Sequence, residues 1–145
     1  NSEKELSGLI FERLHNERTF SVIRSKGDAA LFGGLSTQDM KKRLGAPKTR
    51  PLADFLPTIT IKAKDFANEI TNFNIKKDDL RTEGSTANEH VKNNDEVRQV
   101  LIKRGIAPEK LPAAEDIQKV ARRLESERKK LPKQTRHLER LEQDE

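Results

Sequence analysis

The stretch from Ala30 to Gly45, Ala-Leu-Phe-Gly-Gly-Leu-Ser-Thr-Gln-Asp-Met-Lys-Lys-Arg-Leu-Gly, constrains the fold most, because nearly every residue in it has an assignable mechanical role. Gly33 and Gly34 permit a backbone turn that a Cβ would obstruct. Ser36 then caps a helix: its hydroxyl accepts an orphan amide hydrogen bond, while Asp39, three residues on, reaches back and suits the positive end of the dipole. Leu35, Met40 and Leu44 face inward in that helix. Lys41, Lys42 and Arg43 suit its negative pole, and Gly45 followed by Pro47 supplies the stop.

The flanking sequence predicts helices on both sides. One is expected from Ser2 to about Asn16, with Ser2 and Glu5 as a capping box and Leu6, Leu9, Ile10 and Leu14 as its buried stripe. Phe20, Val22 and Ile23 mark a second short element whose period does not separate helix from strand. Lys26-Gly27-Asp28 closes it, and Asp28 is expected to cap a single turn from Ala29 to Phe32. Pro51 opens a short helix through Leu56. Ala63, Phe66, Ala67, Ile70 and Phe73 define the buried stripe of an amphipathic helix over 60–74, with Ile59 and Ile61 as candidates to extend it. Residues 76–85 read as an exposed connection. Thr86 and Glu89 predict the start of a helix running through Val97 and Leu101 to Gly105, with Asn93-Asn94 as its weak point. Pro108 and Leu111-Pro112 make a rigid turn before a long helix over 113–130, which Pro132 stops or bends. The expectation is an all-α domain of about five to seven helices over 1–131, followed by a charged, frayed tail over 132–145.

Composition narrows the function classes. Over 145 residues, 32% hydrophobic against 37% charged gives a thin core suited to elongated helices. Six Phe with no Trp and no Tyr leave few platforms for stacked bases. A net charge of +5 is a mild attraction to polyanions, not a polycationic tail. The lack of cysteine excludes disulfides, thiolate metal sites and a cysteine nucleophile, and suits the cytoplasm, the expected location. No hydrophobic run approaches the roughly 18 residues of a spanning helix. The opening Asn-Ser without Met suggests a fragment of a longer protein.

No catalytic constellation can be assembled from the sequence. His15, His90 and His137 each stand apart from other ligands at metal-binding spacing. Gly33-Gly34 lacks the spaced glycines and the Lys-Ser/Thr of a phosphate loop, and Asp78 and Asp79 are adjacent, so they aim differently. A non-catalytic binding protein without metal or cofactor is therefore expected. Two basic clusters are the candidates for contact. In the first, Lys41, Lys42, Arg43, Lys48 and Arg50 sit in a stretch that superficially resembles a helix-turn-helix, but Pro51 shortens its second helix, so phosphate contact suits it better than base reading. The alternative is a solvated face. The second runs through Arg122, Arg123, Arg128, Lys129 and Lys130, extended by Lys133, Arg136 and Arg140, with Glu125, Glu127, Glu139 and Glu142 interleaved. That alternation favours a ladder of intrahelical pairs over a DNA groove. Ile117, Leu124, Leu131 and Leu138 form a seven-residue row beside it, but the companion positions turn polar and Pro132 interrupts it. Packing on the domain's own core is expected for this row, with a homodimer left open.

The motif Ala-Leu-Phe-Gly-Gly-Leu-Ser-x-x-Asp, followed in order by His90, Val97-Arg98-Gln99, Leu111-Pro112 and Leu124-Glu125-Ser126, resembles the C-terminal half of the DNA-damage-inducible protein D (DinD) family over roughly residues 18–127. The resemblance implies a role in the bacterial DNA-damage response, induced with the SOS genes, in which the protein modulates recombination on single-stranded DNA through the RecA filament or the DNA it coats. Family members typically also carry an N-terminal BRO-type DNA-binding domain, similar to that of phage antirepressors. Where the family has Leu-Asp-His and Glu-Leu-Ala-Ala-Asn-type residues, this chain has Pro51 to Phe55 and Asp65 to Ile70. Gly33, Gly34, Ser36, Asp39 and His90 are then structural residues of the motif. Lys41, Lys42, Arg43, Lys48, Arg50, Arg98, Arg122 and Arg123 are the candidate contacts with DNA, single-stranded rather than duplex, or with the filament. The rival expectation is an interaction or dimerisation domain of an antirepressor-like protein that positions a separate DNA-binding domain.

Overall fold

In the computed structural model, which describes residues 1–114 and 119–131, every regular element is helical, as the sequence predicts. A first unit, Asn1–Ala113, holds α1 (Ser2–Leu14), α2 (Glu17–Leu31), α3 (Thr37–Leu44), α4 (Thr58–Lys77) and α5 (Glu83–Lys103), with 3-10 turns at Leu52–Phe55 and Pro108–Lys110. A second unit, Ala114–Glu145, holds α6 (119–131). The charged tail expected over 132–145 lies outside the described residues.

Within the first unit α2 packs along α5, α5 along α4, and α4 against α1. Two apolar clusters result. Leu31, Phe32, Met40, Leu52, Leu56, Ala67 and Val97 form one around the Gly-Gly turn, with Leu35 and Leu44 packed on its edge. Leu6, Ile10, Ile23, Ile75 and Ala87 form the other. Full burial of each large side chain contributes about 1.5–3 kcal/mol, so Leu31, Phe32 and Met40 anchor the turn and α3 firmly. Polar residues are buried beside these clusters: Asp28, Thr71, His90, Asn93 and Asn94 are each under 5% exposed and hydrogen-bonded.

Several local expectations are corrected. Asn1, not Ser2, caps α1 by accepting from the Lys4 amide at 2.8 Å. Ser2 is buried and receives Asn68 Nδ2 on its hydroxyl at 3.3 Å. The second element is one continuous 15-residue helix that passes through Gly27 and Asp28. Asp28 does not cap a turn, because its carboxylate is buried between the Thr37 hydroxyl at 2.5 Å and the Lys64 ammonium at 3.0 Å. On α4 the inward face is Thr60, Ala63, Ala67, Thr71 and Ile75, with Asn68 and Asn72, while Phe66 and Phe73 are 61% and 64% exposed. Small and hydrogen-bonding residues let α1 and α5 approach closely, which two phenylalanines would prevent. Helix α5 starts at Glu83, capped by the Thr82 hydroxyl, which accepts from the Ser85 amide at 3.0 Å. Lys76 and Lys77 belong to α4, so the expected long connection shrinks to a tight turn. Asn93 and Asn94 are interior anchors, not a weak point. On α6, Leu124 and Leu131 are 55% and 57% exposed; Ile117 and Leu138 lie outside the described residues.

Candidate nucleic-acid interface

The Gly-Gly turn sets the frame. Gly33 and Gly34 have φ of 66° and 105°, a region that side chains rarely enter, and the Gly34 amide closes onto the Ala29 carbonyl at 2.7 Å. Gly33 is also crowded: a Cβ there would stand 3.0 Å from Arg98 Nη2 and 3.1 Å from Glu109 Oε1. Arg98 reaches this turn from α5, donating to the Leu31 carbonyl at 2.9 Å and forming a two-pronged pair with Glu109 at 2.6 and 3.1 Å. The pair raises the Arg98 pKa and holds the Glu109 carboxyl below its ordinary value. Arg98, a candidate contact by sequence, thus has its charge matched by Glu109 and locks the turn.

The capping box on α3 forms as the spacing predicts. The Asp39 amide donates to Ser36 Oγ at 3.2 Å, and the Ser36 amide donates to Asp39 Oδ2 at 3.0 Å, which lowers the Asp39 pKa. Gly45 ends the helix at φ 71°. This short, doubly fixed helix carries the first basic cluster, and the structure divides it. Lys42, Arg43 and Lys48 are exposed and form no ion pair among the described residues. Lys41 is 8% exposed and turns inward to donate to the Lys48 carbonyl at 3.2 Å. Arg50 pairs with Asp54 at 2.7 Å and lies 5.2 Å over the Phe55 ring. Lys41 and Arg50 meet again as walls of a cleft of about 450 Å³, which Lys4 of α1 and Arg24 of α2 also line. Arg24 and Lys4 escaped sequence reasoning because only tertiary packing brings α1 and α2 to α3; no spacing along the chain signals it.

Arg122 and Arg123 lie on α6 in the second unit and are exposed. Their neighbour Arg128 pairs with Glu125 at 2.7 Å, three residues apart, as expected of a surface ladder.

His90 is a joint between helices. Thr71 Oγ1 donates its one proton to the Ala67 carbonyl at 3.0 Å and accepts from Asn93 Nδ2 at 2.9 Å. Its contact with His90 Nδ1 at 2.8 Å therefore requires the imidazole to donate, which leaves Nε2 as an acceptor facing Asn94 Nδ2 at 3.4 Å. Burial agrees with this neutral form, pushing the His90 pKa down to about 4. Among the described residues no group of three or more His, Asp or Glu is placed to hold a metal ion, and no helix is long and apolar enough to cross a membrane.

No curated protein and no solved structure matches this chain. The family model of the DinD C-terminal domain matches residues 11–120, a span that takes in the Gly-Gly turn, the capped helix, His90 and the Arg98–Glu109 lock. This match suggests a DNA-damage (SOS) context and bears out the resemblance read from the motif: the chain belongs to the DinD C-terminal domain family.

Proposed function

We propose that this chain is a non-catalytic regulatory binding module of the bacterial SOS response, acting on single-stranded DNA or on the RecA filament that coats it. The observation that carries this reading is the exposure of Lys42, Arg43 and Lys48, without ion pairs among the described residues, on a helix and loop fixed at both ends. Phosphate attraction needs positive charge but little exact geometry, and unpaired exposed cations supply it. The segment after α3 is a four-residue 3-10 turn, too short to serve as a recognition helix in a major groove. Sequence-independent contact with a strand fits better than base reading. The test is salt-dependent binding of a labelled single strand. Replacing Lys42 and Arg43 together by Gln is expected to weaken binding and reduce the slope of log affinity against log salt by about 1.4. An unchanged slope would contradict the reading.

A second reading, an interaction or dimerisation domain of an antirepressor-like protein, is favoured by the exposure of Leu124 and Leu131, seven residues apart on α6. It requires a two-chain mass in light scattering that Leu124→Glu and Leu131→Glu abolish, and strand affinity indifferent to Lys42 and Arg43.

A further inference from the structure

Four cations from separate parts of the first unit line one cleft: Lys4 of α1, Arg24 of α2, Lys41 of α3 and Arg50 of the segment beyond it. Glu3 is the carboxylate that lines it, so positive charge is in excess on the walls of a concavity of about 450 Å³. A concave wall of one sign focuses its field on whatever enters. We propose that this cleft binds a phosphate group.

Two of the cations are placed as a ligand site requires. Arg24 keeps its Nε–H buried with no acceptor among the described residues, while its guanidinium is held 5.4 Å over the Phe20 ring. Lys41 is 8% exposed, and its ammonium meets a main-chain carbonyl with no carboxylate opposite it among the described residues. Elsewhere the same fold matches its inward-turned cations: Lys64 faces Asp28 at 3.0 Å and Arg98 faces Glu109 at 2.6 Å. Arg24 and Lys41 are the exceptions, and both line the cleft as well as a smaller void of about 30 Å³ adjoining them. An inward-turned cation without a counter-charge is costly, and an oxyanion in the cleft supplies that charge to Arg24 and Lys41. Arg50, oriented by Asp54 at 2.7 Å, and the Thr49 hydroxyl add donors from another wall. Donors supplied by α1, α2, α3 and the segment beyond it, with this charge excess, suit a multiply charged oxyanion better than a planar, singly charged carboxylate. A nucleic-acid strand or free phosphate could present that group; the strand as its source rests on the function proposed above.

The test is a titration of the whole chain with inorganic phosphate, followed by 1H–15N NMR at constant ionic strength. Saturable shifts are expected at the backbone amides of Lys41, Thr49 and Arg50 and at the Arg24 Nε–H. Arg24→Gln should weaken phosphate about tenfold, the loss of one charge-assisted hydrogen bond. Lys4→Gln, at an exposed position, should weaken it less while leaving the fold intact. Shifts that do not saturate, or that spread evenly over the basic surface, would overturn the site. Single strands with a 5′-phosphate and with a 5′-hydroxyl then separate the sources. Strand binding that phosphate inhibits and Arg24→Gln weakens makes the strand the source, and a preference for the 5′-phosphate makes its end the occupant. Phosphate in the cleft without strand binding supports a free-phosphate site and defeats the nucleic-acid reading instead. Strand binding lost with Lys42→Gln and Arg43→Gln, but unmoved by Arg24→Gln and by phosphate, overturns the cleft and leaves that reading standing.

Discussion

Gly27 of α2 lies directly against the His90 ring of α5, so closely that a methyl group added to Gly27 would overlap the imidazole. The contact explains why glycine sits in a helix interior, where it is otherwise unfavourable. Gly27→Ala forces the ring or the helix to move, a form of overpacking that should destabilise by about 1–3 kcal/mol. Gly8 of α1 has open space where its Cβ would stand, so Gly8→Ala should stabilise by up to about 1 kcal/mol. Urea denaturation of the two variants checks both signs; equal effects would contradict the packing described.

His90 also makes stability depend on pH. It is neutral when folded, with a pKa pushed from 6.5 to about 4 by burial, which outweighs the nearby Asp28 and Glu89 carboxylates; Lys64 reinforces the downward shift. Between those values the unfolded chain binds a proton that the folded chain does not. Stability is therefore fully present above pH 6.5, falls as pH drops, and has lost roughly 3 kcal/mol from this group once pH is below the folded value. Glu109, whose pKa is lowered in the fold, contributes stability that disappears at still lower pH as its carboxyl protonates. Urea midpoints measured from neutral pH downward should show the decline, and the His90 imidazole should remain neutral by NMR through pH 6.5. A His90 titrating near 6.5 would contradict the buried joint.

The Arg98–Glu109 lock makes a separate prediction. Arg98→Leu leaves the Leu31 carbonyl and the Glu109 carboxylate without their shared donor and should destabilise by about 1–3 kcal/mol. Glu109→Gln should cost less, because a neutral amide still accepts from the guanidinium. A double-mutant cycle measures the coupling; a value near zero would show that the two side chains do not support the turn together.

Phe66→Ala and Phe73→Ala should each change stability by no more than about 0.5 kcal/mol, since both rings are exposed. Ala67→Leu, on the fully buried face one residue from Phe66, should destabilise by about 1–3 kcal/mol through overpacking. Thermal or urea unfolding of the two phenylalanine variants separates the face seen in the structure from the one that hydrophobic periodicity predicts, and Ala67→Leu checks the position the two share.

What was legible in the sequence is what short-range chemistry decides. The turn at Gly33-Gly34, the Ser36–Asp39 box and the Gly45 stop each depend on residues a few positions apart, and all form. The buried face of α4 was read correctly at Ala63 and Ala67 but missed at Thr71 and Asn72, whose fit depends on Ser2 of α1 and on His90 and Asn93 of α5. Likewise Gly27 and Asp28 look like helix stops until His90, Thr37 and Lys64 are seen to meet them. Exposed Lys42 and Arg43 were readable as charge. The cleft was not, since Lys4, Arg24 and Lys41 converge only through packing of three helices.

The most direct test of the proposed function is a fluorescence-anisotropy titration of labelled single-stranded DNA, naked and RecA-coated, with this chain at two salt concentrations. Binding to at least one form that weakens as salt rises, and that loses salt sensitivity when Lys42 and Arg43 become Gln, is the predicted result. Binding only to the coated strand would make the filament the direct partner. No binding to either form, or binding indifferent to salt and to both substitutions, would contradict the proposal that these cations engage DNA or its filament.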